Sequence, residues 1–265
     1  LAVFAHVFTT VYDYIPVIGP WFRDRFWLVM TLPALVLAAA GTLASRAAPE
    51  RAAQPKPAWP AAAAGALLAL TALALALNTP HPAPALSPDE LKILTYNIQQ
   101  GYDAAGQTGI AAQLALIRAQ NPDLIGLQES DMARIANGNA DLPGHFASRL
   151  GMYVCPGPST VTGTFGIALL SRFPIENPRT YYMFSEGEQT AAIVAEIQAG
   201  GRRFTVIVTH LGNGGPLIQQ QQVLALAEGR ENVILMGDFN FRPETQQSSL
   251  TTARLRDAWL AAAEP

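Results

Sequence analysis

The chain has 265 residues, half of them apolar, and a formal net charge of −3 at pH 7. That near-neutral balance excludes a strong field toward nucleic acid, and the single cysteine, Cys155, excludes an intrachain disulfide framework. The apolar excess lies at the front: residues 1–80 are dominated by Ala, Leu, Val and aromatic residues, while the rest reads as an ordinary globular domain.

Leu1 opens directly into LAVFAHVF, so the chain reads as one whose true start lies upstream. Residues 26–45, FWLVMTLPALVLAAAGTLAS, carry no charge. At a rise of about 1.5 Å per residue they match a hydrocarbon core about 30 Å thick. Pro33 is tolerated in a packed transmembrane helix, and Phe26 and Trp27 suit an interfacial aromatic belt. A second span is expected over 61–78, where many small residues permit close approach to the first. Between the spans Arg46, Arg51 and Lys56 outnumber Glu50, and no Lys or Arg occurs from 79 to 91. The positive-inside rule therefore puts the 46–59 loop in the cytoplasm and everything after residue 80 on the periplasmic or lumenal side. Arg23 and Arg25, before the first span, pull the other way. Residues 81–90 form a Pro-rich linker.

From residue 91 to 265 short apolar runs alternate with helical stretches. Strands are expected at 92–98, 123–129, 166–175, 191–199, 202–211 and 232–239, with a hairpin turn at Gly200-Gly201. Helical spacing runs from Ile110 to Ala119 and stops at Asn121-Pro122; a second helix is expected over 216–228. The mixture predicts an α+β or α/β layered sandwich.

Four of these strands end on polar groups: Asn97, Glu129, His210, and Asp238 with Asn240. Burying a carboxylate without a partner costs several kcal/mol (about 3–5 when one partner of a pair is removed), so such ends imply a cation, a donor network or an opening to solvent. Glu129 at a strand mouth suits a hard cation such as Mg2+ (or Mn2+), with Asn97 adding a neutral oxygen. A salt-bridged structural Glu is the plainer alternative. In GDFN, alternation is expected to put Asp238 and Asn240 on one side of an extended segment. Asp238 would then orient or deprotonate a water, while Asn240 donates to a phosphoryl oxygen. His210, in VTHLGNGG, enters a Gly-rich loop whose backbone amides can approach an anion. As imidazolium it would favour developing phosphoryl charge.

TYN (95–97), LQE (127–129), GIALLSRFPI (166–175), VTHL (208–211) and GDFN (237–240) together resemble the endonuclease/exonuclease/phosphatase, or DNase I-like, superfamily. The resemblance implies a four-layer α/β/β/α sandwich with the site at one rim. It also implies metal-site roles for Asn97 and Glu129, a water-activating and phosphate-orienting pair in Asp238 and Asn240, and phosphate contact by His210 and Asn213. TYNIQQGYD, GLQESDMARIANGNADL, LGMYV, GPSTVTGTFGIALLS and MFSEGEQTA are similar to the C-terminal domain of the eukaryotic membrane proteins that remodel glycosylphosphatidylinositol anchors to ceramide type. That domain follows transmembrane helices and faces the lumen. In VTGTFG, Thr162 and Thr164 read as lining a phosphate pocket or as a plain turn. The superfamily closes with a strand carrying an Asp–His pair, which nothing after GDFN supplies, so the domain is expected to be C-terminally incomplete.

The expected function is that of a membrane-anchored, Mg2+-dependent phosphodiesterase, phospholipase C-like, acting on a phospholipid or glycolipid head group. From residue 91 onward 12 Lys and Arg stand against 15 Asp and Glu. That balance disfavours nucleic acid as a partner, because phosphate contacts dominate nucleic-acid affinity. A nuclease and a non-catalytic lipid-binding module are the alternatives.

Overall fold

Apolar alternation within each strand decides the layering. A computed structural model describes residues 26–47, 59–78, 90–130, 132, 140–157, 166–186 and 189–263. Its elements are α1 (Phe26–Ala47), α2 (Trp59–Asn78), β1 (Ile93–Asn97), α3 (Ile110–Gln120), β2 (Leu124–Gln128), α4 (Leu142–Leu150), β3 (Tyr153–Gly157) and β4 (Ile167–Ser171). After these come β5 (Ile175–Tyr182), β6 (Ala191–Ala199), β7 (Arg202–His210), α5 (Leu217–Ala227), β8 (Val233–Asp238), α6 (Gln246–Thr252) and α7 (Ala258–Ala263).

The strands form two mixed sheets, ordered β1-β2-β4-β3 and β5-β6-β7-β8. β1 pairs parallel with β2, and β7 parallel with β8; the other pairings are antiparallel. Because side chains alternate across a strand, each central strand feeds two cores. Leu124, Ile167 and Leu169 turn inward to meet Ile193, Ile197, Val206, Val208 and Met236 of the other sheet. Their neighbours Ile125, Leu127, Ala168 and Leu170 turn outward onto α3 and α4, meeting Ile117, Leu142 and Phe146. On the far side Ala192, Val194 and Ile207 pack against Val223 of α5. The result is helix, sheet, sheet, helix. Phe146 is fully buried in the second core. Phe146→Ala is expected to cost about 3–5 kcal/mol, read as a lower urea midpoint with an unchanged slope; a loss within experimental error would show that this core is not close-packed.

Several expected boundaries recur. β6 spans 191–199, and the turn after it has Gly200 and Gly201 at φ of 55° and 73°. α3 ends where Asn121 adopts φ 50° before Pro122. The expected strand over 166–175 is instead two strands with a break between them. Ser171 Oγ accepts the Phe173 N–H at 2.9 Å, and Arg172 Nε donates to Pro122 O at 3.0 Å. That local bonding ends β4 before β5 begins. α4 and β3 were not expected, although the helix carries its own signals: Asp141 caps Gly144 N at 2.9 Å, and Gly151 closes the helix at φ 64°.

At the front, α1 and α2 are both helical. Trp59–Leu77 of α2 is long and apolar enough to cross a bilayer, by length and composition. In α1 the described apolar run is Thr31–Ala44, shorter than the roughly 20 residues a bilayer core requires. Among the described residues there is thus one such helix where two spans were expected; the side chains of residues 26–30 lie outside the described residues.

Candidate functional site

Parallel pairing brings the polar strand ends to one rim. β1 and β2 run in register Asn97↔Gln128, and β7 and β8 in register His210↔Asp238, so the C-terminal ends coincide within each pair. One hydrogen bond then joins the sheets. Asn97 Nδ2 donates to Glu129 Oε1 at 2.9 Å and to Asp238 Oδ2 at 3.1 Å. Glu129 reaches this point because the chain turns just past β2, at φ 48°.

Asn240 adopts φ 52°, so GDFN is not extended as expected. Its backbone N–H folds back to Asp238 Oδ1 at 3.1 Å, a local turn that competes with continued strand. The Asn240 side chain arrives beside His210 by that turn instead of by alternation. Its Nδ2 donates to Leu211 O at 2.8 Å and lies 3.2 Å from His210 Nε2.

His210 is buried, 8% exposed. Burial holds its imidazole below the usual histidine range, against the opposing pull of Asp238 and Glu129. The 3.9 Å approach of Nε2 to Asp238 Oδ2 is therefore not an ion pair at neutral pH. An amide donor beside Nε2 also fits a neutral ring with its lone pair on that nitrogen. Burial thus works against the expected imidazolium. The Gly-rich loop differs as well. Leu211 N bonds Asp238 O, Gly215 N bonds Gly212 O, and Gly212 N bonds Gln219 Oε1, so these three amides are taken up internally.

Glu129, His210, Asn213, Asp238 and Asn240 line one cleft of about 570 Å³. Asn97 touches it through both carboxylates. Thr162 and Thr164 lie outside the described residues. The cleft's other wall, including Phe184, Glu186, Thr190, Ile218 and Gln219, was missed in the sequence. The only local signal was a polar Gln219 on a face of α5 that also buries Val223 and Leu224, and the run QQQQ hides it.

A hard divalent cation takes oxygen ligands, and Mg2+ is commonly held by one or two carboxylates with water and substrate phosphate completing the shell. Glu129 and Asp238 form such a pair, converging on the amide nitrogen of Asn97. The residues present fit that manner of binding, with one correction. Asn97 Oδ1 accepts the Gln99 N–H at 3.0 Å, so Asn97 presents its nitrogen, not the expected oxygen, to the carboxylates. Among the described residues no group of three or more His, Cys, Asp or Glu side chains is assembled for a metal.

A family model described as the C-terminal nuclease-like domain of PGAP2IP matches residues 89–257. The chain belongs to that family. It is 35% identical over 154 residues to Protein cwh43 of Schizosaccharomyces pombe, a match that takes in 56% of this chain and 16% of that protein. The chain therefore spans only a small part of this relative's length. Among solved structures it is similar to an endonuclease/exonuclease/phosphatase from Beutenbergia cavernae, with TM-score 0.50 and 19% identity, covering 61% of this chain and 53% of that one. That likeness is one of fold. Family and fold agree on a phosphoesterase-like domain of the endonuclease/exonuclease/phosphatase superfamily.

Proposed function

We propose that this family member is a membrane-anchored, metal-assisted phosphodiesterase that hydrolyses a phospholipid or glycolipid head group, the inositol-phosphate glycolipids included. The observation that carries the reading is the meeting of Asn97, Glu129, His210, Asp238 and Asn240 in one cleft. Glu129, with a reoriented Asn97, would hold Mg2+ or Mn2+. The bound cation supplies Lewis-acid polarisation of a phosphoryl oxygen. Asp238 takes the proton of an attacking water, and Asn240 keeps the neutral His210 ring in place beside it. Asn213, on the cleft wall, and Thr164 would contact the phosphoryl oxygens.

Nucleic acid is a poor fit for this cleft. Its described lining carries the carboxylates of Glu129, Glu186 and Asp238 and no Lys or Arg, whereas phosphate contacts to nucleic acid are made largely by cationic side chains. The second reading is a non-catalytic lipid-binding module, in which the Asn97 bridge between Glu129 and Asp238 would be purely structural. We read residues 1–80 as the membrane region, 81–90 as linker and 91–265 as the phosphoesterase domain, which lies on the extracytoplasmic side.

The test uses the full-length protein, stripped with chelator and resupplied with Mg2+, on vesicles containing phosphatidylinositol and on duplex DNA. Metal-restored release of the lipid head group with DNA intact is the expected result. DNA cleavage in its place would establish a nuclease, and tight vesicle binding without turnover in any metal would establish the binding module. Glu129→Gln is expected to raise the Mg2+ concentration for half-maximal turnover by at least about 10–100-fold. An unchanged metal requirement would remove Glu129 from the metal site.

A further inference from the structure

We propose that Gln219 is a positioning residue that locks the outer wall of the cleft to its catalytic floor, so that Phe184 and Ile218 face the part of the substrate beyond the phosphoryl group. The inference rests on reading the cleft as the phosphoester site and adds to it the element that sets its width. Gln219 is 3% exposed, on the first turn of α5. Both ends of its amide are used, on segments from different parts of the chain. Oε1 accepts the Gly212 N–H at 2.8 Å, two residues past His210. Nε2 donates to Phe184 O at 3.0 Å, at the start of the connection from β5 to β6.

The wall is held at more than this point. Phe184 N–H donates to Gln222 Oε1 at 2.9 Å. Gln219 and Gln222 stand three apart and share one face of α5, so the Phe184 residue lies along that helix on its own N–H and C=O. Beyond it, Ser185 Oγ accepts the Thr190 N–H at 3.0 Å and pairs with Thr190 Oγ1 at 3.0 Å. These bonds leave the Phe184 and Ile218 side chains outside the core, 53% and 44% exposed, on the same cleft as Asp238 and His210. Single exposed apolar residues are common on protein surfaces. Here two flank a polar site on a backbone pinned by the amides of buried Gln219 and half-buried Gln222, and a buried amide linking two segments moves them as one body. Binding energy from a substrate's non-reacting part then depends on where that wall stands.

The test compares Gln219→Met, which keeps the length and removes both hydrogen bonds, with Gln219→Glu, which keeps an acceptor for Gly212 N and loses the donor to Phe184 O. Both are made in the full chain. Backbone amide exchange is followed in peptides covering 183–190 and 210–216, with α3 and α4 as internal reference. For Gln219→Met, exchange is expected to rise on the order of tenfold in both peptides and to stay unchanged in the reference helices. For Gln219→Glu it should rise in 183–190 alone. With bis(para-nitrophenyl) phosphate and Mg2+, Gln219→Met is expected to raise KM about tenfold and to change kcat less than about threefold, the pattern of lost binding common to ground and transition states. Exchange rising uniformly across the domain, or in only one of the two peptides for Gln219→Met, overturns the coupling. An unchanged KM overturns the wall's part in binding. Turnover absent from the unaltered protein strikes at the phosphoesterase reading instead, and the exchange pattern still decides the lock.

Discussion

Asp238→Asn is expected to lower kcat of the full-length protein on a phosphodiester by roughly 10²–10⁴-fold, the range for loss of a general base. Asp238 holds three partners at once. Oδ1 accepts the Asn240 N–H, Oδ2 accepts from Asn97, and the His210 ring stands 3.9 Å away. The asparagine is nearly isosteric, so the turn that carries Asn240 should survive, while the negative charge and the proton acceptor are lost. At 33% side-chain exposure Asp238 is not a core group, and the melting temperature should move little. Turnover within about threefold of the unaltered protein, far short of the general-base range, would place the chemistry elsewhere.

Gly237→Ala is expected to combine a stability loss of about 1–3 kcal/mol with a large fall in activity. A Cβ at Gly237 would stand 2.2 Å from Thr209 O, a backbone atom of the neighbouring strand. A flexible side chain would give way, but a paired strand does not, so β8 must shift against β7. Thr209↔Gly237 is the rung directly before His210↔Asp238. The shift therefore acts on the catalytic pair itself, and a displacement near 1 Å can cost about 10²-fold in rate. Urea denaturation and turnover measured on the same preparation check the two effects together. A variant with unaltered midpoint and kcat would show that β7 and β8 tolerate separation at this rung.

Much of the fold was legible because its signals are local. The run DLIGLQE has the length and apolar content of a buried strand; Asn121-Pro122 stops a helix; Gly200-Gly201 turns a hairpin. β5 was not legible, since IENPRTYY carries a Pro and a largely exposed face and so lacks the alternation that marks a half-buried strand. α4 is hidden in the sequence because it is short and follows a polar, Gly-containing stretch.

The site was half legible for a related reason. A polar residue at the end of an apolar strand stands out in the chain, which is how Asn97, Glu129, His210, Asp238 and Asn240 were found. The opposite wall is different. Phe184 and Ile218 look like ordinary apolar residues, and Gln219 looks like one of four glutamines. Their importance lies only in what they touch.

By itself the sequence determined most strands and helices and which polar side chains end buried strands, because those signals are local, and it pointed to the family through short motifs kept in order along the chain. The tertiary structure alone decided three things. The Asn97 amide turns its nitrogen between carboxylates 32 and 141 residues away. Burial lowers the pKa of His210. Gln219 ties wall to floor. All three follow from desolvation and from the stacking of two sheets, and those depend on neighbours far off along the chain.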